Sequence, residues 1–418
     1  MRKRRFPDSG FVAIQLIVAA AFAGSLNAVS VDTRNQIQKM VTGRPTLPPV
    51  HIEYEQPLRV EPLYDDPDVV SDAELAAVLE KIRPKFPPEQ LKPNHVEHAL
   101  RTWGIDATFG DPQVMSGVQM RDFLIDHSRY VKSWGGDAQP LLQVRPQGLA
   151  VRWGRQNGAS VHHDHLLASL TEAGIPLSQP VYAPGRHRMT FNDMLQEALR
   201  DVRLDERETE WSTMAFGLWL PPRCNWTTFD GRRMSFNLLA RRLLRGHKRH
   251  GVCSGTHRVY SLVLLVRLDE MTRVSGSPNA GDGLLSRAVL DEVFNYLEMI
   301  RDLISVSQFQ DGHWPSNWYE GADAVIAPTD DEEYRKVIAT GHHLEWLAIA
   351  PPKLHPSREQ IRRAADWLIE TTIGQSDELL LESYTFYSHV GNALALWRGT
   401  RPADFWREWQ SRRPIRPE

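Results

Sequence analysis

The sequence is short of cysteine. Its 418 residues hold two, Cys224 and Cys253, which excludes a disulfide framework and a cysteine-rich zinc module and leaves either one bridge or two free thiols. Positive charge is not in excess: 49 Lys and Arg against 52 Asp and Glu give a net charge of −3, so nothing points to nucleic acid. Gly-x-Ser-x-Gly, P-loop and dinucleotide fingerprints are missing. Strand signals are scarce. Past Ser71 only 141–144 and 149–153, either side of Pro146-Gln147-Gly148, read as a short hairpin. What remains is an all-α globular chain.

The N-terminus carries a different kind of information. Arg2, Lys3, Arg4 and Arg5 precede an apolar run over 11–31. A basic start before an apolar core is the layout of an export signal, and the run is also long enough to span a bilayer as an uncleaved anchor. In both cases the positive charges stay in the cytoplasm, so the expected localisation is a single-pass protein of the cell membrane with its main domain outside, or a secreted or periplasmic one. Residues 32–70 carry Pro45, Pro48, Pro49, Pro57, Pro62 and Pro67. Proline at that density blocks helix and predicts a spacer, or a strap laid over the domain that occupies 71–418.

That domain reads as alternating helices of two kinds. One kind is amphipathic, with a single apolar stripe: 118–131, 190–202, 234–244, 284–304, 358–372 and the short 402–410. The other starts polar and becomes apolar on nearly all sides: 95–103, 161–173, 208–220, 255–268, 334–350 and 383–397. A helix apolar all round is buried by its neighbours. Six of each predict an (α/α)6 toroid, buried helices inside and amphipathic ones outside; the alternative is an open α-solenoid of stacked hairpins.

Gln308, Gly312 and Trp314, in the phrase that runs from Ile304, resemble the QW repeat of squalene and hopene cyclases. The resemblance covers about 254–400 and implies the toroid of the terpenoid-cyclase and prenyltransferase-like fold, with the indole stacked over the glutamine and glycine supplying a positive φ. It does not carry the chemistry: there is no Asp-x-Asp-Asp acid, and neither cysteine has an aspartate two residues before it. Asp330-Asp331-Glu332-Glu333 reads as the cap of the following helix rather than a diphosphate motif. A second stretch, Gly341-His342-His343-Leu344-Glu345-Trp346, is similar to the Gly-His-x-x-Glu-Trp of sugar 2-epimerases, in which the resemblance makes the histidine an acid/base. Tyr387-Ser388-His389 looks like the second such stretch, with an inserted Ser.

Nine of the 16 histidines lie in the opening turns expected for buried helices: His95, His98, His162, His163, His165, His257, His342, His343 and His389. Their convergence at one mouth of the ring is the basis of the site expectation. His342, Glu345, His257 and His389 are the candidate catalytic residues, since imidazole near neutrality serves as acid, base or ligand and a carboxylate sets its tautomer. His163, Arg258, Tyr260, Trp314, Trp346 and Tyr387 are the candidate ligand contacts. No metal set is assigned, although Cys253 and His257, four apart, would make a zinc site with one more histidine. No cofactor is indicated. The expected partners are a small-molecule ligand, polar or isoprenoid, in a His-rich central cavity, and the membrane through the N-terminal segment. A carbohydrate-active enzyme and a noncatalytic scaffold are the alternatives.

Overall fold

The computed structural model describes residues 14–15, 45–246, 252–274 and 283–412. Apart from Ile14 and Gln15, the run read as signal or anchor lies outside them. Among the described residues no helix is long and apolar enough to cross a membrane. The chain divides into two units, one of 1–49 with 229–232 and one of 50–228 with 233–418. In the first, residues 45–49 have no regular secondary structure. Every element below belongs to the second.

The protein is mostly helical, 56% of it, with only short strands. The helices are α1 (Asp72–Lys81), α2 (Pro93–Trp103), α3 (Gly117–Ile125), α4 (His127–Trp134), α5 (His165–Glu172), α6 (Phe191–Asp201), α7 (Glu210–Trp219), α8 (Phe236–Leu244), α9 (Thr256–Val274), α10 (Arg287–Ser307), α11 (Asp323–Ile326), α12 (Glu333–Ile349), α13 (Arg358–Gly374), α14 (Asp377–Glu382), α15 (Tyr384–Trp397) and α16 (Pro402–Arg412). Three antiparallel hairpins, β1–β2 (Leu142–Val144, Leu149–Val151), β3–β4 (Pro180–Ala183, Arg186–Thr190) and β5–β6 (Trp226–Thr227, Arg233–Met234), fill loops between them. The first was expected. The other two were not, because their strands are too short to alternate visibly.

All six helices read as buried are present. α7 and α15 are buried along almost their whole length. α2 packs on α5, α5 on α7, α7 on α9, α9 on α12, α12 on α15, and α15 on α2. The amphipathic helices lie against these: α8 and α10 on α9, α13 on α12 and α15, α3 on α2. α1 begins where a capping box predicts it, Ser71 N–H donating to Glu74 Oε2 at 2.8 Å and Glu74 N–H donating to Ser71 Oγ.

Two expected helices are cut. The segment 118–131 breaks at Asp126, whose backbone is extended and whose carboxylate accepts from Ser128 N–H at 2.8 Å, so α4 starts afresh. The segment 161–173 becomes helical only at His165, because Asp164 takes a left-handed conformation with φ 57°. His162 and His163 therefore sit on a loop.

Residues 50–70 are a strap. Leu58 N–H donates to Leu218 O at 2.8 Å, Leu63 N–H to Ala348 O at 3.1 Å and Asp66 N–H to Trp397 O at 2.8 Å. Those acceptors are at the C-terminal ends of α7, α12 and α15, where helix carbonyls lack internal partners. Tyr64 adds an O–H bond to Ala350 O at 2.7 Å and stacks 5.1 Å from Trp397.

The turn after α10 is held by Gln308 and Trp314. Gln308 donates to Gly312 O and Gln360 O, each at 2.8 Å, and accepts from Arg363 at 2.9 Å. Trp314 donates from Nε1 back to Ile304 O at 2.8 Å, and its ring meets His343 at 5.3 Å. Gly312 does take a positive φ, 108°. Glu332 is the N-cap residue of α12, and Asp331 ties Ser316 to it through bonds of 2.8 and 2.7 Å, which is a structural role for the acidic run.

Candidate functional site

Each of the six buried helices puts one flat polar or aromatic ring at the same level. His98 (α2), His165 (α5), Trp211 (α7), His257 (α9), His342 (α12) and His389 (α15) touch in that order. Successive centroids are 4.6, 4.3, 4.3, 4.3 and 3.9 Å apart, and His389 returns to His98 at 5.2 Å. His165, Trp211 and His257 do lie in opening turns. His342 and His389 lie well inside their helices, because α12 and α15 begin at Glu333 and Tyr384. The rings pack on one another instead of lining an open cavity: His165, Trp211, His257, His342 and His389 are all 2% exposed or less.

Glu345 is the electrostatic centre. Its Oε2 lies 2.9 Å from His342 Nδ1 and 3.0 Å from His389 Nδ1; its Oε1 accepts from Asn392 at 2.7 Å and from Arg101 Nη1 at 3.2 Å. Arg101 reaches Glu172 at 2.5 Å through Nε and lies 5.3 Å over the ring of Tyr260, whose hydroxyl donates to Glu172 at 3.0 Å. Burial pushes the Glu345 carboxyl up, but His389 and Arg101 beside it hold it well below the usual range. Burial drives His257 and His98 well below the ordinary imidazole value and takes His389 down to about 3. Burial thus disfavours charge on these imidazoles around the carboxylate and the guanidinium.

Among the described residues four carboxylates, Glu97, Glu172, Glu210 and Glu345, lie around the guanidiniums of Arg101 and Arg258, with Glu97 2.5 Å from His165 and Glu210 3.7 Å from Arg258. Polar satisfaction is incomplete. Among the described residues both ring nitrogens of His257, and Nε2 of His342 and of His389, are buried with no hydrogen-bond partner. Two sets of potential ligand atoms lie within 4.8 Å of one another: Cys253, His257 and His342, and His342, Glu345 and His389.

The four candidate catalytic residues are therefore brought together. Of the candidate ligand contacts, Tyr260 touches the core through Arg101 and Glu172, and Arg258 follows His257 on α9 beside Glu210. His163 sits apart, 2.9 Å from Glu206 and 5.3 Å from Trp153. Trp314 and Trp346 gather with Trp318 around His343, to whose Nδ1 Trp346 donates at 3.0 Å. The Tyr387 hydroxyl reaches Glu333 at 3.5 Å. Cys224 and Cys253 are free thiols. Sequence reasoning missed Glu97, Arg101, Glu172, Trp211 and Asn392. Glu97 and Arg101 were visible as charges within a helix otherwise read as buried, where a charge needs a partner.

One small cavity adjoins the core. A space of about 60 Å³ is lined by Arg59 of the strap, Arg101, Glu172 and Arg401. A larger open groove of about 960 Å³ runs elsewhere, past Phe86, Leu91, Met115 and Phe123. Comparisons with family models, with curated proteins and with solved structures give no match for this chain.

Proposed function

We propose that the chain is an exocytoplasmic metalloprotein: an (α/α)6 toroid, exported or tethered by its N-terminal segment, that holds one divalent transition-metal ion at its hub around His342. The toroid reading is supported by the succession of buried helices, in which the last packs on the first, and by the closed circuit of six rings. It agrees with the fold that the QW-like turn implies.

The observation that carries the metal reading is the set of buried imidazole nitrogens without partners, converging on one another. An unpaired buried polar atom is costly, and a cation removes that cost for several at once. An occupant as small as a single ion suits a centre packed this tightly. Glu345 plays the part of the carboxylate that fixes a liganding histidine: its bond to Nδ1 of His342 leaves Nε2 as the electron-pair donor.

A second reading is acid/base catalysis by His342 and His389, favoured by their shared bond to Glu345 Oε2 and by the epimerase-like stretch. It requires the ring to open to a substrate. Thermal melting of the chelator-stripped full chain separates the two. Zinc at a hundredfold excess over its dissociation constant is expected to stabilise the wild type by about 2.7 kcal/mol and to leave His342→Ala unshifted. An unshifted wild type that also carries no metal on elemental analysis ends the metal reading.

A further inference from the structure

We infer that the coordinating set is Cys253, His257 and His342, that Glu345 and His389 orient it without ligating, and that the site selects a thiolate-preferring ion of the zinc type. This rests on the metal reading above and deepens it.

The two candidate sets differ in what is already spoken for. Glu345 is engaged at both oxygens by Arg101, Asn392, His342 and His389. To bind an ion it must release a guanidinium that is itself buried. His389, whose Nδ1 lies between Glu345 and Arg101, each 3.0 Å away, has an unpartnered Nε2 as His342 does, but it enters a set only together with Glu345. His257 is in the opposite state: 1% exposed, with neither ring nitrogen hydrogen-bonded to any described residue. A free imidazole held there, 4.3 Å ring to ring from His342, points to a ligand.

Cys253 stands one turn before His257. Its backbone is left-handed at φ 50°, Ser254 follows at φ 56° and Gly255 at φ 84°, and Thr256 Oγ1 locks the turn by donating to Cys253 O at 2.7 Å. Left-handed backbone at two non-glycine residues in a row is sterically disfavoured and persists where the surroundings demand it. Here it brings Sγ within 4.8 Å of the His257 and His342 nitrogens. With metal–nitrogen and metal–sulfur bonds of about 2.0–2.3 Å, tetrahedral ligands stand roughly 3.3–3.6 Å apart, so the three atoms need to draw in by at most about 1.5 Å. One thiolate and two imidazoles leave a fourth position, as open zinc sites do. Binding replaces the S–H bond by a metal–sulfur bond, and the thiol proton leaves to solvent.

The test uses cobalt(II), whose thiolate complexes absorb by sulfur-to-metal charge transfer in the near ultraviolet. The reduced, chelator-stripped full chain is titrated with cobalt(II) as wild type, Cys253→Ser and His389→Gln. The expected result is a charge-transfer band in the wild type and in His389→Gln, absent in Cys253→Ser, with affinity in the serine variant down by at least about 100-fold. Cobalt bound by the wild type without that band overturns the assignment of Cys253 and leaves the metal reading standing. No cobalt bound overturns both. The wild-type spectrum decides the matter even where the serine variant does not fold.

Discussion

His342 Nδ1 and Glu345 Oε2 lie 2.9 Å apart on one face of α12, and the same oxygen stands 3.0 Å from His389 Nδ1 on α15. One carboxylate therefore fixes two imidazoles and, through its other oxygen, Arg101 and Asn392. Glu345→Ala leaves a buried guanidinium with Glu172 as its one carboxylate partner and takes away the partner of His342 Nδ1. A loss of about 3 kcal/mol or more is expected, since breaking a buried pair uncovers an uncompensated charge. Urea unfolding of the metal-free protein measures it, and a loss under about 1 kcal/mol contradicts the central place given to Glu345.

The proposed toroid has its own consequence. His98 and His389 belong to the first and last of the six buried helices and touch at 5.2 Å, and Thr102 donates to Ser388 O at 3.3 Å nearby. A double-mutant cycle on His98→Ala and His389→Ala is expected to give a coupling of about 0.5 kcal/mol or more, as residues in contact do. An open solenoid keeps those helices apart and predicts strict additivity.

Two histidines away from the hub give opposite pH signatures. Burial takes His95 down to about 4, with Lys92 helping. Burial opposes charge on His163 as well, but Asp164 and Glu206 outweigh it and raise it to about 9. For His95 the unfolded chain binds the extra proton, so stability is lost as pH falls from about 6.5 to about 4. For His163 the folded chain binds it, so that contribution is full below about 6.5 and is lost as pH rises through about 9. His95→Gln is expected to flatten the acid limb of melting temperature against pH, and His163→Gln the alkaline limb. Unchanged limbs contradict the assignment.

The turn after α10 is tested at Gly312. Its φ of 108° is unfavourable for any side chain, and a Cβ there would meet the Arg363 carbonyl oxygen at 2.2 Å, which is backbone and does not swing away. Gly312→Ala is expected to cost about 1–3 kcal/mol. Gln308→Ala, which removes clamps on Gly312 O and Gln360 O, is expected to cost a similar amount while leaving zinc affinity unchanged. A change in zinc affinity in either variant contradicts the separation of the turn from the hub.

The alternation of helix types was legible because burial leaves a direct mark on sequence: 208–220 and 383–397 are apolar on nearly every side, and they became α7 and α15. The histidines were legible as residues but not as a constellation. Which of them meet depends on how far each helix slides along its own axis and how it is turned, and periodicity fixes neither. Asp164, in a left-handed conformation, keeps His162 and His163 out of the helix and off the ring. Trp346 is one residue from Glu345 and turns the other way, toward His343 and Trp318. Periodicity does not say which of two buried faces meets the centre.

Anomalous diffraction at the zinc edge, on crystals of the full chain grown with zinc, locates the ion itself. One peak is expected at the hub, about 2.0–2.3 Å from Cys253 Sγ, His257 and His342 Nε2, and its loss in His342→Ala. No peak there, with the six rings packed on one another as before, would contradict the metal reading.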